Sequence, residues 1–408
     1  MQQPKLASRY DCTGCLACVD ICKHDALTSF VDSDGHNYVR FNDEACVGCL
    51  QCEHVCPVVN NYDYSSNDLR ESIPFAAYCK DEGIYMKSTS GGVFAALARQ
   101  FIKEGGFVCG VVVQNNHAVH IVTNKVDDIE RMQGSKYLQS NTEGVYLKIK
   151  DCLKDGHKVL FCGMGCQAAA VCSYFRKNKN RNLLYVVDMI CGGVPSQHLV
   201  DRFIRSEERW SEVVSFRKKG QYVLTCRNID REPELLSNVR PLPLYGFFSG
   251  LTNRYSCGDC KFSGVERESD ITIGDYWGDN SSIHKSVAIV HSQKGKELLM
   301  NCNDLDVFKT DWNFLKFNYR TIVGKTYNNN RWQRRFLPWI FKHLSYKNIC
   351  GFYGCHFSNP LLFFVYAITK LESMLIRRII RMEQHKIIRS IMKQSDKIDS
   401  RNWLRGDK

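Results

Sequence analysis

The sequence lacks an apolar segment long enough to cross a membrane as a helix. Its longest apolar stretch, Leu361 to Ile368, falls far short of the roughly 20 residues that a bilayer requires. The first twelve residues, MQQPKLASRYDC, also lack the apolar core of a secretory signal. We therefore expect no secretory signal, no membrane span and a cytoplasmic location.

Cysteine, by contrast, is abundant. The chain has 21 cysteines among 408 residues, which is still sparser than the short secreted domains that depend on disulfides. The cysteines are clustered, and clustering suits metal binding in a reducing compartment. The length leaves room for a small cluster domain beside a core-bearing domain of a few hundred residues.

Eight cysteines form two copies of the spacing CxxCxxCxxxC. The copies are Cys12, Cys15, Cys18, Cys22 and Cys46, Cys49, Cys52, Cys56. In this pattern three cysteines of a run bind one four-iron cluster and the fourth binds the other. The predicted ligand sets are therefore Cys12, Cys15, Cys18 and Cys56 for the first cluster, and Cys22, Cys46, Cys49 and Cys52 for the second.

The two runs have the marks of a duplication. Each cysteine recurs after 34 residues, and Gly14 and Leu16 recur as Gly48 and Leu50. Structural zinc is the alternative, but zinc sites usually join two CxxC pairs across a long loop. Residues 1–60 resemble a bacterial two-cluster ferredoxin of α+β type, including Pro57 after the last ligand; Lys23 replaces the corresponding proline of the first run.

The middle of the chain alternates apolar strand patterns with helical ones, which predicts an α/β core. A polar linker is expected from Asn60 to Ser72. The predicted strands are Phe75–Tyr78, Phe107–Val113, His120–Thr123, Lys158–Cys162 and Leu183–Ile190. The predicted helices follow Ser88–Gly92, run from about Glu143 to Lys154, and begin at about Cys166. Beyond Ser211 the pattern assigns no individual element.

Ser88 to Gly92, STSGG, opens a predicted helix. Hydroxyls and free backbone amides at a helix start can hold a phosphate. Serine and glycine are also common as plain helix caps, and the residues alone favour that interpretation over a phosphate site.

Four further cysteines suggest a third cluster. Cys166 and Cys191 lie where predicted strands end, and Cys257 and Cys260 form a CxxC in a loop. The ends of parallel strands are where α/β sheets gather ligands. Cys162 and Cys172 are near enough to compete, but a buried thiol is the usual interpretation within a strand or helix. Cys79, Cys109, Cys152, Cys226, Cys302, Cys350 and Cys355 are interpreted as structural.

Six segments, in order, resemble the coenzyme F-420 hydrogenase/dehydrogenase beta subunit family, which includes 7-hydroxymethyl chlorophyll a reductase. They are STSGGVFAALA at Ser88, GSKYLQS at Gly134, VLFCGMGCQ at Val159, VVDMICGGVPS at Val186, YSCGDCKF at Tyr255 and DITIGDYWG at Asp270. The resemblance covers residues from about 74 to 300. It implies an FAD-binding α/β domain over 74–310 with a third four-iron cluster on Cys166, Cys191, Cys257 and Cys260.

The resemblance also implies a flavin site. Ser88, Ser90, Gly91 and Gly92 would hold the FAD phosphates; Ser135, Lys136 and Tyr137 would lie by the isoalloxazine ring, with Lys136 and Tyr137 catalytic; Asp275 and Trp277 would shape the pocket. A cation beside the ring stabilises the anionic reduced flavin. A surface lysine and a turn-capping aspartate are the plain alternatives.

Two positions depart from the family pattern. Gly165 stands where the family often has proline, and Cys191 is followed by Gly192 and Gly193 where the family can have histidine and glycine. Both adjoin the expected third cluster, so the identity of the substrate stays open.

Residues 341–408 are strongly basic, with 13 lysines and arginines against 5 acidic residues. The stretch Pro360–Lys393 has the pattern of a basic amphipathic helix. Such a helix can lie on the anionic inner face of a membrane or dock on protein, and the sequence leaves both open. Nucleic-acid binding is not expected, because basic charge without aromatic stacking periodicity is usually a solvated surface.

These features predict an oxidoreductase that relays electrons. Single electrons from a redox partner protein or a ferredoxin would enter the ferredoxin-type clusters and reach FAD through the third. FAD would then exchange hydride with a small molecule such as coenzyme F-420 or another metabolite. The alternative is a non-catalytic electron-transfer subunit of a larger redox complex.

Overall fold

The computed structural model describes residues 2–60 and 72–318, apart from 207–209, 219–220, 229, 231, 237–241, 251, 278 and 280, together with 339, 342–345 and 349. Residues Met1–Lys342 form one compact unit and His343–Lys408 a second. Residues 61–71 of the predicted linker Asn60–Ser72 and the amphipathic stretch Pro360–Lys393 lie outside the described residues. No helix in the described part of the chain is long and apolar enough to cross a membrane.

Thirteen strands and eleven helices make up the described elements. The strands are β1 Leu27–Val31, β2 Asn37–Phe41, β3 Ile73–Cys79, β4 Phe107–Gln114, β5 His117–Thr123, β6 Val159–Met164, β7 Leu184–Met189, β8 Trp210–Ser215, β9 Leu224–Asn228, β10 Pro233–Leu236, β11 Ile271–Asp275, β12 Ser286–Val290 and β13 Leu305–Lys309. The helices are α1 Ala17–Ile21, α2 Gln51–Val55, α3 Glu82–Lys87, α4 Val93–Lys103, α5 Val126–Met132, α6 Val145–Lys154, α7 Gly165–Phe175, α8 His198–Ser206, α9 Leu242–Ser249, α10 Gln293–Met300 and α11 Trp312–Asn318.

Eight strands form one mixed sheet in the order β13-β3-β12-β11-β7-β6-β4-β5. Its centre, β4, β6, β7 and β11, is parallel, and both edges are antiparallel. β6 reads VLFCGM and is buried at every residue, as expected for a parallel strand covered on both faces. The predicted α/β core is thus confirmed.

The predicted strands and helices correspond to β3 to β7, α4, α6 and α7, with ends shifted by up to three residues. The short helices α3 and α5 were not predicted, because seven residues or fewer carry little helical periodicity. Cys162 lies in β6 and Cys172 within α7, as predicted. Asp275 is the last residue of β11 rather than a residue after it.

The two faces of the large sheet bury different clusters. On one, Val93, Leu97 and Phe101 of α4 pack with Ile129 and Met132 of α5. The other contains α6 and α7, and the N-terminal segment packs there too: Cys15, Ala17 and Val55 join the same core as Tyr146 and Phe161. Residues 1–60 and the α/β domain therefore share a hydrophobic core.

Candidate iron-sulfur and flavin site

The duplicated cysteine runs adopt the same local conformation. Leu16 and Leu50, which precede α1 and α2, have φ of 56° and 58°. Cys22 and Cys56, which end these helices, have φ/ψ of −76°/111° and −77°/113°. The 34-residue repeat is therefore a repeat of structure, and in each copy the third cysteine lies within the short helix and the fourth directly follows it.

Cys22 lies with the cysteines of the other run. Pro4, Cys22, His24, Cys46, Cys49 and Cys52 are among the residues that line a small cavity between the two halves. These four cysteines are the set predicted for the second cluster, and we call them the second thiol set. Within it Cys49 is exposed and Cys52 is buried.

Cys12, Cys15, Cys18 and Cys56 form the first thiol set. The pKa of Cys15 is raised to about 12, mainly by burial and then by the nearby thiol of Cys56. The pKa of Cys18 is also raised, by burial and then by Cys15, Cys12 and Cys56. The hydroxyl of Thr13, between two of these cysteines in the chain, is buried next to the Cys15 thiol and, as a hydrogen-bond donor, opposes the rise of its pKa. Four converging thiols and a hydroxyl that can donate to sulfur suit a cubane, which accepts hydrogen bonds at sulfur.

The third thiol set, Cys166, Cys191, Cys257 and Cys260, is built at the carboxyl edge of the sheet. Met164 of β6 and Ile273 of β11 both pair with Met189 of β7. Cys166, Cys191 and Asp275 each lie two residues beyond these partners, so the register brings them to one edge. This is the edge at which ligands bind in α/β sheets.

The loop that follows α9 supplies the other two cysteines. The amide of Arg254 donates to the carbonyl of Val194 at 2.9 Å, and the amide of Cys257 donates to the carbonyl of Arg254 at 3.0 Å. A methyl group at Gly165 would lie 2.9 Å from the carbonyl of Phe262. Glycine at the first departure from the family pattern is thus explained by the close approach of this loop.

The four thiols of this set affect one another. The pKa of Cys166 is well above its usual value, because of burial and then the thiols of Cys260, Cys191 and Cys257. Burial likewise raises the pKa of Cys191 to about 11 and that of Cys257 to about 12. Among the described residues, no group of three or more His, Cys, Asp or Glu residues is arranged to hold a single metal ion; a cubane instead takes each thiolate on a different iron.

The first and third thiol sets adjoin. The thiol of Cys15 is among the groups that raise the pKa of Cys166, after burial and the three nearer thiols. The carbonyl of Cys15 accepts from Thr142 Oγ1 and from the Tyr146 hydroxyl, each at 2.7 Å. Asp20 fixes the same junction by accepting from the amides of Gly144 and Tyr146.

A buried polar chain leads away from the third set. Arg267 Nη1 donates to Asp188 Oδ2 at 2.9 Å, and Thr272 donates to the other oxygen of Asp188. Because the Thr272 proton is used there, His291 Nε2 must donate to Thr272, and Nδ1 accepts from Ser72 at 2.7 Å. The chain fixes Arg267 in place, and the carboxylate of Asp188 compensates its charge.

The proposed phosphate loop lies against the proposed ring loop. Thr89 Oγ1 is 3.1 Å from Ser135 Oγ, and the Ser88 hydroxyl accepts from Gln133 Nε2 at 2.9 Å. Gly92, with φ of 83°, precedes α4 and has no side-chain cap. The two segments that the family resemblance assigned to one cofactor thus meet in space.

Several groups assigned to the phosphates already have protein partners. The Ser90 hydroxyl donates to the carbonyl of Lys285 at 2.8 Å, and the Gly91 amide donates to Ser286 Oγ at 2.9 Å. A methyl group at Gly91 would lie 2.3 Å from the Ala77 carbonyl. Ser90 and Gly91 therefore lock the loop to β3 and β12, which leaves the start of α4 as the part able to receive a phosphate.

Lys136 caps the end of α5. Its ammonium donates to the carbonyls of Met132 at 2.7 Å, Gln133 at 2.8 Å and Gly134 at 3.1 Å. All three protons are thereby used, so Lys136 can act on a flavin through its charge but not through a spare donor. Burial lowers the pKa of Lys136 to about 7.

Tyr137, Asp275 and Trp277 meet around a residue that the sequence did not reveal. Arg217 Nη1 contacts Asp275 Oδ2 at 2.6 Å, and its guanidinium carbon lies 5.5 Å from the Trp277 ring. The Tyr137 ring packs against the ring of Phe247 with centroids 4.2 Å apart and a tilt of 39°, and its centroid is 6.0 Å from that of Phe216. Arg217 lies in FRKKG, a segment with no periodic pattern, and only its burial identifies it.

The rings of Tyr137, Phe216 and Phe247, which we call the aromatic group, adjoin the third thiol set. A methyl group at Gly192, directly after Cys191, would lie 3.3 Å from the ring of Phe247. Gly193, with φ of 119°, lies against Asn253 in the same loop as Cys257. The second departure from the family pattern therefore makes room for an aromatic ring between the third thiol set and Tyr137.

Two sequence profiles described as coenzyme F420 hydrogenase/dehydrogenase beta subunit match the chain. The N-terminal profile matches residues 74–145 and the C-terminal profile residues 156–312, together more than half of the chain. The chain belongs to the coenzyme F420 hydrogenase/dehydrogenase beta subunit family. A profile described as a 4Fe-4S dicluster domain matches residues 11–60, which confirms the iron-sulfur interpretation of the cysteine runs.

Relatives match different parts of this family member. One of the subunits of the F(420)H(2) dehydrogenase from Methanosarcina mazei is 25% identical over 201 residues, covering 46% of this chain and 56% of that protein. The chain thus matches little more than half of that relative's length. The VorC component of the ketoisovalerate oxidoreductase from Methanothermobacter marburgensis is 31% identical over 55 residues, 13% of this chain and 70% of that protein.

A chain of the F420-reducing NiFe hydrogenase complex from Methanosarcina barkeri is among the solved structures that this chain resembles in part. The similarity covers 58% of this chain and 81% of that chain, with a TM-score of 0.44 and 16% sequence identity.

Proposed function

We propose that this protein is an iron-sulfur flavoprotein oxidoreductase. Electrons would travel between the ferredoxin-type clusters, a third four-iron cluster on Cys166, Cys191, Cys257 and Cys260, and FAD. The outer substrate would be a two-electron acceptor or donor, such as coenzyme F-420 or another small organic molecule. When bound, the flavin supplies the conversion between one-electron clusters and two-electron organic chemistry.

The observation that carries this proposal is the succession of three sites within one compact unit. Cys15 of the first thiol set packs in the same core as Ala168 and Ala170 of α7, the helix that also carries Cys166. Gly192, next to Cys191, adjoins Phe247, whose ring packs against that of Tyr137. A short succession of buried and partly buried residues thus joins the duplicated cysteine runs to the segment assigned to the flavin.

Each part of the chain has a role in this scheme. The three thiol sets supply the cluster ligands. The start of α4 offers backbone amides to an anion, and Ser90 and Gly91 hold that loop in place. The charge of Lys136 stabilises an anionic ring nearby, and the rings of Tyr137, Phe216 and Phe247 limit the access of water to it.

The direct test is anaerobic metal analysis together with flavin extraction. We expect about twelve irons, as three cubanes, and one FAD per chain. About eight irons without flavin would leave only the dicluster domain and would overturn the proposal. Protein with FAD should also pass electrons from a chemical reductant to at least one member of a panel of hydride acceptors, coenzyme F-420 included.

A non-catalytic electron-transfer subunit is the second candidate. The second thiol set favours it, because Cys49 is exposed and could place a cluster at the surface for a protein partner. In this case the isolated chain would exchange electrons with a redox protein, while its flavin would be reduced without passing hydride to any acceptor of the panel.

A further inference from the structure

Arg254 is a buried cation that has no acidic partner among the described residues. It is 1% exposed and ranks among the largest fully buried side chains. In the described ranges no carboxylate lies within 4.0 Å of its guanidinium, and its hydrogen-bond partners are neutral. An arginine cannot shed its proton in a protein, and an uncompensated buried charge is costly. The ring of Tyr38, whose centroid lies 4.0 Å from the guanidinium carbon, is uncharged and offsets only part of this cost. Negative charge must therefore come from another group.

The guanidinium is built against the backbone of the first thiol set. Nε donates to the carbonyl of Cys12 at 2.6 Å, and Nη2 lies 3.6 Å from Cys12 Sγ. Nη1 donates to Gln139 Oε1 at 3.0 Å, and Gln139 in turn donates to the carbonyl of Thr13 at 2.9 Å. A methyl group at Gly14 would lie 2.6 Å from Nη1. The glycine of the cysteine run thus admits the arginine.

The same residue shapes the third thiol set. Its amide donates to Val194, three residues after Cys191, and its carbonyl accepts from the amide of Cys257. Its positive charge also opposes the burial that raises the pKa of Cys257. Arg254 therefore touches the first set with its side chain and the third set with its backbone and its charge.

We infer that Arg254 is the shared counter-cation of the first and third clusters and a positioning residue for electron transfer between them. A cubane held by four thiolates is an anion, and this anion supplies the charge that the arginine lacks. A nearby cation stabilises the reduced cluster, which is more negative by one unit, and so raises its potential. The role of Arg254 at the first cluster does not depend on the proposed third cluster. Its role as a counter-cation shared with the third cluster does.

A redox titration of anaerobically purified full-length protein, followed by electron paramagnetic resonance, tests this inference. In Arg254→Gln we expect the potentials of the first and third clusters to fall. The potential of the second cluster should stay unchanged, and so it serves as an internal reference. Arg254→Lys keeps the charge and should restore most of the difference. The titration measures potentials and not turnover, so it is independent of the substrate.

Arg9 provides a matched control. Its guanidinium lies 5.5 Å from the ring of Tyr38, the same ring that Arg254 approaches at 4.0 Å. Arg9 is half-exposed and has its own carboxylates, Asp32 and Asp34. Arg9→Gln should therefore leave all cluster potentials unchanged.

Three results would overturn the inference. Arg254→Gln could leave all potentials unchanged, could shift them equally, or could behave like Arg254→Lys. If Arg254→Gln fails to assemble the first cluster, the iron content of Arg254→Lys decides the question. Iron retained in Arg254→Lys supports the role of Arg254 as a counter-cation. Loss of iron equal to that in Arg254→Gln shows that only the shape of the side chain matters and overturns the inference. Wild-type protein with about eight irons would refute the proposed third cluster, while the comparison of the first and second clusters would still test Arg254.

Discussion

The hydroxyl of Tyr146 donates to the carbonyl of Cys15 at 2.7 Å. Tyr146 belongs to α6 of the α/β domain, and Cys15 to the first cysteine run. Thr142 donates to the same carbonyl at the same distance. Since both donors are buried, this one carbonyl joins the dicluster segment to the domain assigned to the flavin.

The shared carbonyl predicts non-additive substitutions. Tyr146→Phe or Thr142→Val alone leaves one donor in place, so each should lower the apparent Tm by only about 2 °C. The double variant leaves the carbonyl unsatisfied. Its free energy of unfolding should fall by about 1 kcal/mol more than the sum of the two single losses. Tyr174→Phe is the control, because its hydroxyl is 3.5 Å from its acceptor. Strict additivity would count against this junction.

Removing one ligand of the third thiol set should remove four irons. We expect Cys166→Ser to contain about eight irons per chain in place of about twelve, with the two ferredoxin-type clusters intact. Cys172→Ala, in the same helix, is the matched control and should keep the wild-type content, because Cys172 packs against Arg181 and Glu268 rather than a thiol set. Equal iron in the two variants would refute the assignment.

Lys136 should make the flavin potential depend on pH. Because burial lowers its pKa to about 7, the ammonium is charged below that pH and largely neutral well above it. Lys136→Met should therefore lower the flavin potential by roughly 50 mV at pH 6, and the difference from wild type should shrink by pH 9.

The control for this titration is Lys87→Met. Lys87 is exposed and pairs with Glu130 on α5, so its loss should leave the flavin potential unchanged at both pH values. A constant difference between wild type and Lys136→Met from pH 6 to 9 would show that the lysine acts without titrating.

His120 should destabilise the fold in acid. Its ring is buried against Phe161, with Nε2 3.1 Å from the Cys162 carbonyl, and burial lowers its pKa to about 4. The unfolded histidine has a pKa near 6.5, so between pH 6.5 and 4 the unfolded state binds more protons. The contribution of His120 is complete above pH 6.5 and falls by about 2 kcal/mol at pH 5.

The measurement is the apparent Tm at pH 7 and pH 5. His120→Phe lacks the titrating group. The difference in apparent Tm by which this variant falls below the wild type should therefore be smaller at pH 5 than at pH 7. His284→Gln, at an exposed position, should follow the wild type at both pH values. A deficit for His120→Phe that widens in acid would contradict the proposed cause.

The register of the sheet explains how far the candidate site could be predicted. The cysteine runs could be recognised in the sequence because their spacing alone allows two clusters. Cys166 and Cys191 could be recognised as strand-end residues. That they lie at the same level on one edge of the sheet follows only from the pairing of Met164 with Met189. Arg217 and Arg254 could not be predicted, because neither belongs to a sequence motif. Each is identified by its burial, and no local pattern in the sequence indicates that burial.

The amino-acid sequence by itself determined the presence of a four-iron dicluster domain, the α/β alternation and the family, because these follow from spacing and local pattern. The tertiary structure decided what no local pattern holds: that Cys15 packs in one core with the helix that carries Cys166, that Ser90 and Gly91 bond to neighbouring strands, and that Arg254 is buried between two thiol sets. The physical reason is that these relationships join residues up to 242 positions apart, which only chain packing brings together.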